Sequence, residues 1–168
     1  GLGRVAIVTN AKQGVVEGCL DLWMPTAAKL VLDLDVEIIY ARDVYAEQQA
    51  QVAATQRSCL AKIFSPGKPK ERGTQEDRGT LWKIAAMDYL LARHFGSGPC
   101  SNVVCVGDSF EKIRAIHRAV SRQSYSGGEA QPIKAVKMMC QPTCPTLMAQ
   151  LALLSQALPS LVELKRST

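Results

Sequence analysis

The stretch from Asn102 to Ser109 constrains the fold more than any other part of the chain. Val103–Val106 is an apolar run in which three of the four residues are valine, and such runs are typical of a strand buried on both faces of a parallel sheet. Gly107 then gives the backbone the freedom that a turn needs. Ligands of open parallel sheets bind beyond the carboxyl ends of the strands, so Asp108 is a candidate contact for a metal or a phosphate. A cap for the following helix, made by Asp108 or Ser109, is the alternative interpretation.

The rest of the chain shows the same alternation of short apolar runs with helical spacings of three and four. Pro25 marks a break or a new first turn in one helix, and the composition of 55–80 predicts a flexible loop. The alternation predicts an α/β fold, a Rossmann-like three-layer parallel sheet with helices on both faces. Strands are expected at Arg4–Val8, Val36–Ala41, Val103–Val106 and Ile133–Met139, and helices at Lys12–Leu32, Val44–Ala54, Leu81–Phe95, about 110–122, and after Pro145 with Leu147, Leu151, Leu154 and Leu158 facing a core.

Composition limits the classes of partner. The 168 residues suit a single domain, with 47% hydrophobic and 21% charged residues. The net charge of +5 allows anionic ligands, but only 5% of residues are aromatic and no basic-aromatic stripe is present, which makes a nucleic-acid partner unexpected. The N-terminal stretch lacks a signal pattern and no uninterrupted apolar run approaches membrane-spanning length. These features predict a cytoplasmic protein without a membrane partner, and the six scattered cysteines predict reduced structural thiols rather than a zinc site.

Three polar positions stand at the ends of predicted elements. Thr9 and Asn10 end the first strand, Lys83 opens the long helix, and Asp108 follows the central strand. A hydroxyl, an ammonium group and a carboxylate at one edge of a sheet suit a phosphate with a divalent metal. The hydroxyl and nearby N–H groups hold phosphate oxygens, the lysine neutralises charge, and the carboxylate helps to hold Mg²⁺.

These segments resemble the motifs of the haloacid dehalogenase-like superfamily. Val8–Asn10 matches its threonine strand, Trp82–Lys83 its helical lysine, and Val106–Ser109 its Gly-Asp strand. The likeness covers nearly the whole chain and is greatest to a eukaryotic branch with Val-Thr-Asn-Ala and Gly-Asp-Ser segments. It implies a Mg²⁺-dependent phosphohydrolase-type core. In such a core Thr9, Asn10 and Lys83 bind phosphate and Asp108 binds the metal.

The chain departs from that family in its second metal acid. The family usually has an acidic residue four positions after Asp108, and Lys112 stands there. Glu111 is the nearest substitute, but a helix turns it about 100° away from position 112. The resemblance therefore implies a weakened Mg²⁺ site.

The chain also lacks the family's nucleophile, the first Asp of an Asp-x-Asp motif on a strand before the threonine strand. Only four residues precede Val5. Leu32–Asp35 contains Asp-x-Asp but follows that strand, so we interpret Asp33 and Asp35 as a polar turn. We expect a C-terminal fragment of the core, without its first strand, that binds phosphate without turnover.

The absent strand would leave apolar strand edges unpaired, which are templates for pairing with another chain. The side chains uncovered would include Val5, Ile7, Val104 and Val106. Expected partners are therefore a small phosphorylated molecule, a protein, or a second copy that pairs through these strands.

Two other functions remain open. One is a non-catalytic binding or interaction module that uses the same face of the sheet. The other is an esterase of the Gly-Asp-Ser-Leu type with Ser109 as nucleophile. That family pairs its serine with a histidine preceded three residues earlier by Asp, whereas Leu91 and Arg114 stand at that distance before His94 and His117.

Overall fold

The computed structural model describes residues 3–60, 75–96, 102–124 and 133–164, without the side chains of 56–60, 75–77 and 123–124. The fold is mixed α/β with short parallel strands. In chain order the described elements are β1 (Ala6–Thr9), α1 (Val15–Trp23), α2 (Pro25–Asp33), β2 (Glu37–Tyr40), α3 (Ala41–Leu60), α4 (Gln75–Phe95), β3 (Val103–Gly107), α5 (Phe110–Ser124), β4 (Ile133–Lys137) and α6 (Cys144–Glu163).

The chain groups into two compact units, the first formed by Val5–Ala86 and the second by Gly1–Arg4 with Met87–Thr168. Each contains one two-stranded parallel ladder, β1 with β2 in the first unit and β3 with β4 in the second. The predicted strands and their parallel pairing are confirmed. The single domain over 1–168 and the three-layer sheet remain predictions.

The break at Pro25 in the first unit is confirmed. Pro25 occupies the first turn of α2, where its missing N–H is not needed for a helical hydrogen bond. The predicted polar turn also forms, because Asp35 takes a left-handed conformation with φ of 49° and the N–H of Val36 donates to the carbonyl of Val31 at 2.9 Å. This bond closes α2 in the manner of a helix C-cap and leads directly into β2.

The loop predicted over 55–80 is too long at both ends. Helix α3 follows β2 without a connecting segment and continues to Leu60, and α4 begins at Gln75. The Pro- and Gly-containing middle of the predicted loop, 61–74, lies outside the described residues. Polar composition misled the prediction at the flanks, because helices can carry the same polar residues as loops.

Helix α4 buries one apolar face and stops at a glycine. Met87 is 7% exposed and lies on this buried face, whereas Tyr89 is 37% exposed and does not. Gly96 has φ of 58°, a conformation that glycine adopts without a Cβ clash, and its N–H donates to Ala92 at 2.8 Å. The predicted end of this helix is confirmed.

Helix α5 provides the core of the second unit by packing against β3 and β4. Its buried side chains are Ala115, Ile116, Ala119 and Val120, which lie on one helical face. Burial of β3 on both faces was a wrong prediction, because Val106 is 44% exposed. Among the described strands β3 pairs only with β4, so the ladder is too narrow to cover every valine.

A fully buried lysine links the second ladder to the end of α6. Lys134, at 0% exposure, donates from Nζ to Asn102 Oδ1 at 2.6 Å and to the carbonyl of Val162 at 3.2 Å. Asn102 Nδ2 donates to the same carbonyl at 2.6 Å. The ammonium group therefore lies at the negative end of the α6 dipole, where a cation is stabilising.

The packing predicted for the last helix is not found. The start of α6 agrees with its prolines, since Thr143 caps it by accepting from the N–H of Thr146 at 3.4 Å. However, no residue of α6 is fully buried: Leu147 and Leu151 are exposed, and Leu154 and Leu158 are half-buried. With a mean hydropathy of 1.2, α6 is the one described helix long and apolar enough to cross a membrane, a property shared by core helices of soluble proteins.

Substitution of Lys134 by Met should destabilise the chain by about 1–3 kcal/mol, because Asn102 Oδ1 loses its donor inside the protein. Urea unfolding of residues 1–168 measures this loss. Lys137→Met is the matched control on the same strand. Lys137 is exposed and lies 5.4 Å from the Phe110 ring, so its loss should cost at most about 1 kcal/mol. Equal effects of the two substitutions would contradict a structural role for the buried ammonium.

Candidate functional site

The carboxyl end of β1 forms a tight turn through the Thr9 hydroxyl. Thr9 Oγ1 accepts a hydrogen bond from the N–H of Ala11 at 3.1 Å. This bond uses the acceptor side of the oxygen and leaves the hydroxyl hydrogen able to donate. Thr9 is half-buried. A donor held in place at the end of a parallel strand suits an oxygen of an anionic ligand.

Asn10 connects this turn to helix α4. Its Nδ2 donates to the carbonyl of Gly79 at 3.5 Å. Its Oδ1 is buried and has no hydrogen-bond partner among the described residues. Because the amide nitrogen contacts Gly79, the remaining polar atom of the side chain is Oδ1, an acceptor that does not bond a phosphate oxygen. A phosphate oxygen would therefore have to accept from the backbone N–H of Asn10.

Lys83 lies one helical turn beyond Gly79 on the same face of α4. It is 8% exposed, and its charge is weakly screened by water at that depth. The prediction that Lys83 opens its helix is wrong. Because α4 begins at Gln75, Lys83 lies about two turns inside the helix, beyond the reach of the N-terminal dipole.

Tyr40 fixes the end of β2 to the start of α1. Its hydroxyl donates to Glu17 Oε2 and accepts from the N–H of Val16 at 3.4 Å. Tyr40 stands opposite Thr9 in the parallel ladder, so both strand ends of the first unit carry a hydroxyl. Burial raises the pKa of Tyr40 above its ordinary value of 10.0, and the hydrogen bond to Glu17 raises that pKa further.

Asp108, at the end of β3, forms an ion pair with Lys112. The Lys112 ammonium contacts Asp108 Oδ1, and the two side chains are 30% and 46% exposed, for Lys112 and Asp108 respectively. Asp108 lies two residues before α5 and Lys112 lies in the first turn of that helix. The two residues are four positions apart, the spacing at which opposite charges meet on a helix. Lys112 therefore holds a positive charge at the carboxylate that the sequence assigned to a metal.

The role of Asp108 as a ligand of a divalent cation remains a prediction, on which the charge beside its carboxylate bears. Within the described part of the chain, no three His, Cys, Asp or Glu side chains lie together as a ligand group. Mg²⁺ requires oxygen ligands in a nearly octahedral arrangement, and an ammonium group already occupies one carboxylate oxygen of Asp108. Glu111 lies half-buried in the first turn of α5, and its role as a metal ligand remains a prediction.

The predicted site residues divide between the two units. Thr9, Asn10 and Lys83 belong to the first unit, where the Asn10–Gly79 contact brings the end of β1 to the turn of α4 that precedes Lys83. Asp108 and Glu111 belong to the second unit. The convergence of all these residues around one cavity remains a prediction.

The serine of the esterase hypothesis lies between β3 and α5, where Ser109 is half-buried. Of the two histidines, His117 is exposed, and its carbonyl accepts from Ser121 Oγ at 2.7 Å. The role of Ser109 as a nucleophile, which would need a base to activate it, remains a prediction.

Comparison of this chain with protein-family models, curated proteins and solved structures gives no match.

Sequence reasoning missed two of the residues that shape these strand ends. Lys112 was noticed only as the replacement of an acid, although its i,i+4 spacing from Asp108 is a signal for an ion pair. Tyr40 was assigned only to a strand. Its contact with α1 joins residues 23 and 24 positions apart, and no local pattern indicates such a pairing.

The raised pKa of Tyr40 should make stability fall in alkaline solution. As pH rises past about 10, the unfolded chain releases the Tyr40 proton while the folded chain keeps it, so the unfolded state gains stability. Tyr40→Phe should remove this part of the decline, measured by urea unfolding on both sides of that pH. Tyr45→Phe is the control, because it removes a tyrosine without affecting the Glu17 contact. A decline unchanged in Tyr40→Phe would contradict the assignment.

Proposed function

We propose that this chain is a haloacid dehalogenase-like domain that binds the phosphate group of a small molecule and does not turn it over. Thr9 donates from its hydroxyl, Asn10 from its backbone N–H, and Lys83 supplies positive charge. The observation that carries the proposal is the contact of Asn10 with Gly79, which fixes the end of β1 beside the helical turn before Lys83.

The chemistry of the first unit supports an anionic ligand. The Thr9 oxygen already accepts from Ala11, so a ligand contact there would use its hydrogen. Lys83 is a buried cation, and an anion that reached it would gain more attraction than at the surface. Phosphate accepts hydrogen bonds through several oxygens and matches this set of donors.

The fold proposed with this function is a Rossmann-like three-layer parallel sheet with helices on both faces. Two features support it. Both ladders are parallel, and helices connect their strands. Among the described strands, β1 pairs only with β2 and β3 only with β4, so each ladder retains an unpaired edge.

A non-catalytic interaction module is the second candidate, and exposed apolar side chains of the first unit favour it. Leu22, Trp23, Leu32 and Leu34, on or next to α1 and α2, are 70–79% exposed. A second copy of the chain or another protein could cover them. This candidate differs from the first in predicting no stabilisation by phosphate.

Inorganic phosphate should raise the thermal unfolding midpoint of residues 1–168. At ten times its dissociation constant a ligand stabilises by about 1.4 kcal/mol, a shift of roughly 3–6 °C for a chain of this size. Thr9→Val removes the hydroxyl and Lys83→Met removes the charge at similar volume, so both should lose most of the shift. Sodium chloride at equal ionic strength corrects for general salt effects.

Lys29→Met is the matched control because it removes an exposed lysine of the same unit. It should keep the full phosphate shift. A shift retained in both Thr9→Val and Lys83→Met, or lost equally in Lys29→Met, would contradict the proposed phosphate site. The absence of any shift would favour the interaction module.

Residues 1–168 should not hydrolyse a generic phosphomonoester in the presence of Mg²⁺. An attacking Asp-x-Asp carboxylate is absent before Thr9, and Asp108 is ion-paired with Lys112. A continuous assay with p-nitrophenyl phosphate tests this, with Asp108→Ala beside the natural sequence. Mg²⁺-dependent turnover that Asp108→Ala abolishes would show that another residue is the nucleophile.

A further inference from the structure

The Lys112 side chain lies directly over the backbone of Gly107. A Cβ atom at position 107 would stand 2.7 Å from Cδ and 3.2 Å from Cβ of Lys112. The first separation is too short for two carbon atoms and the second is tighter than most contacts, so the lysine stem would have to shift from this path if position 107 carried a side chain. Gly107 itself is buried.

This path carries the Lys112 ammonium to the carboxylate of Asp108. The glycine that ends β3 thus provides the space that the lysine stem fills. We name this arrangement the Gly107–Asp108–Lys112 cluster. It consists of a glycine, the carboxylate that follows it, and a lysine four positions after the carboxylate.

Stability alone does not explain the cluster. Its charged side chains are 30% and 46% exposed, and ion pairs with that much exposure contribute little to folding. The arrangement does change what Asp108 can bind, because a fixed positive charge at one oxygen repels any cation that approaches the carboxylate.

We infer that the Lys112 ammonium is the resident counter-ion of Asp108 and takes the place of a divalent cation at the end of β3. The carboxylate does not recruit Mg²⁺, and an anion that binds at this strand end is met by ammonium hydrogens rather than by a metal. Lysine has three such hydrogens, so contact with Asp108 does not exhaust its donors. This inference rests on the proposed phosphate-binding function only for the identity of the anion.

The test uses metal ions alone on residues 1–168, so its outcome is independent of phosphate binding. The thermal unfolding midpoint of the natural sequence should not change with millimolar Mg²⁺. Lys112→Asp places two carboxylates at i and i+4, and Mg²⁺ should raise the midpoint of this variant. The double variant Lys112→Asp with Asp108→Asn should lose the rise.

A second variant keeps the test decisive if Lys112→Asp does not fold. Lys112→Met retains an apolar stem over Gly107 and removes only the charge. Its Mn²⁺ affinity, followed by water-proton relaxation, should increase roughly tenfold or more over that of the natural sequence, the scale on which a neighbouring charge acts. Lys137→Met removes a nearby exposed lysine and should leave Mn²⁺ affinity unchanged.

Two results would overturn the inference. One is a Mg²⁺-dependent rise in the natural sequence that Asp108→Asn removes, because Asp108 would then bind metal with Lys112 present. The other is an unchanged Mn²⁺ affinity in Lys112→Met, because the ammonium group would then not be what excludes the cation.

Discussion

Parallel pairing of short strands is the constraint on which the rest of the structure depends. Two parallel neighbours cannot be joined by a tight turn, so the chain between them must cross back along the sheet, usually as a helix. In the first unit α1 and α2 make this crossover, and in the second α5 makes it. Each ladder therefore has the carboxyl ends of its own two strands at the same edge. Thr9 stands opposite Tyr40 in the first ladder, and Gly107 stands opposite Lys137 in the second.

Local signals in the sequence were sufficient for most elements of the fold. Pro25 indicated a break or a new first turn, and the valines of β3 favoured a strand, so these features were predicted from a few residues each. The burial of β3 was not predictable in the same way, because exposure of Val106 depends on how many strands surround it. The loop prediction failed at the flanks of 55–80 because polar composition does not distinguish a helix from a loop.

The buried Lys134 shows why polar contacts over long sequence distances escape such reasoning. Its partners, Asn102 and Val162, are 32 and 28 positions away, and neither forms a motif with it. A lysine within an apolar strand favours an exposed position on statistical grounds. Lys134 is buried instead, because the Val162 carbonyl at the end of α6 accepts from both its ammonium group and the Asn102 amide. The same is true of the candidate site. Thr9 and Asp108 could be predicted as candidates because they stand at strand ends, but the path of the Lys112 side chain could be found only from the three-dimensional structure.

Helix α6 illustrates a different balance between apolar packing and polar contacts. None of its residues is buried, so its position depends on contacts near its ends. Near its start, Gln150 accepts from the N–H of Met139 at 2.7 Å, and at its end the Val162 carbonyl accepts from Lys134 and Asn102. Directional bonds of this kind fix where a helix begins and ends without covering its apolar face. The unit therefore combines a core centred on α5 with a helix anchored by hydrogen bonds, and the leucine spacing of α6 identified a helix without identifying what it packs against.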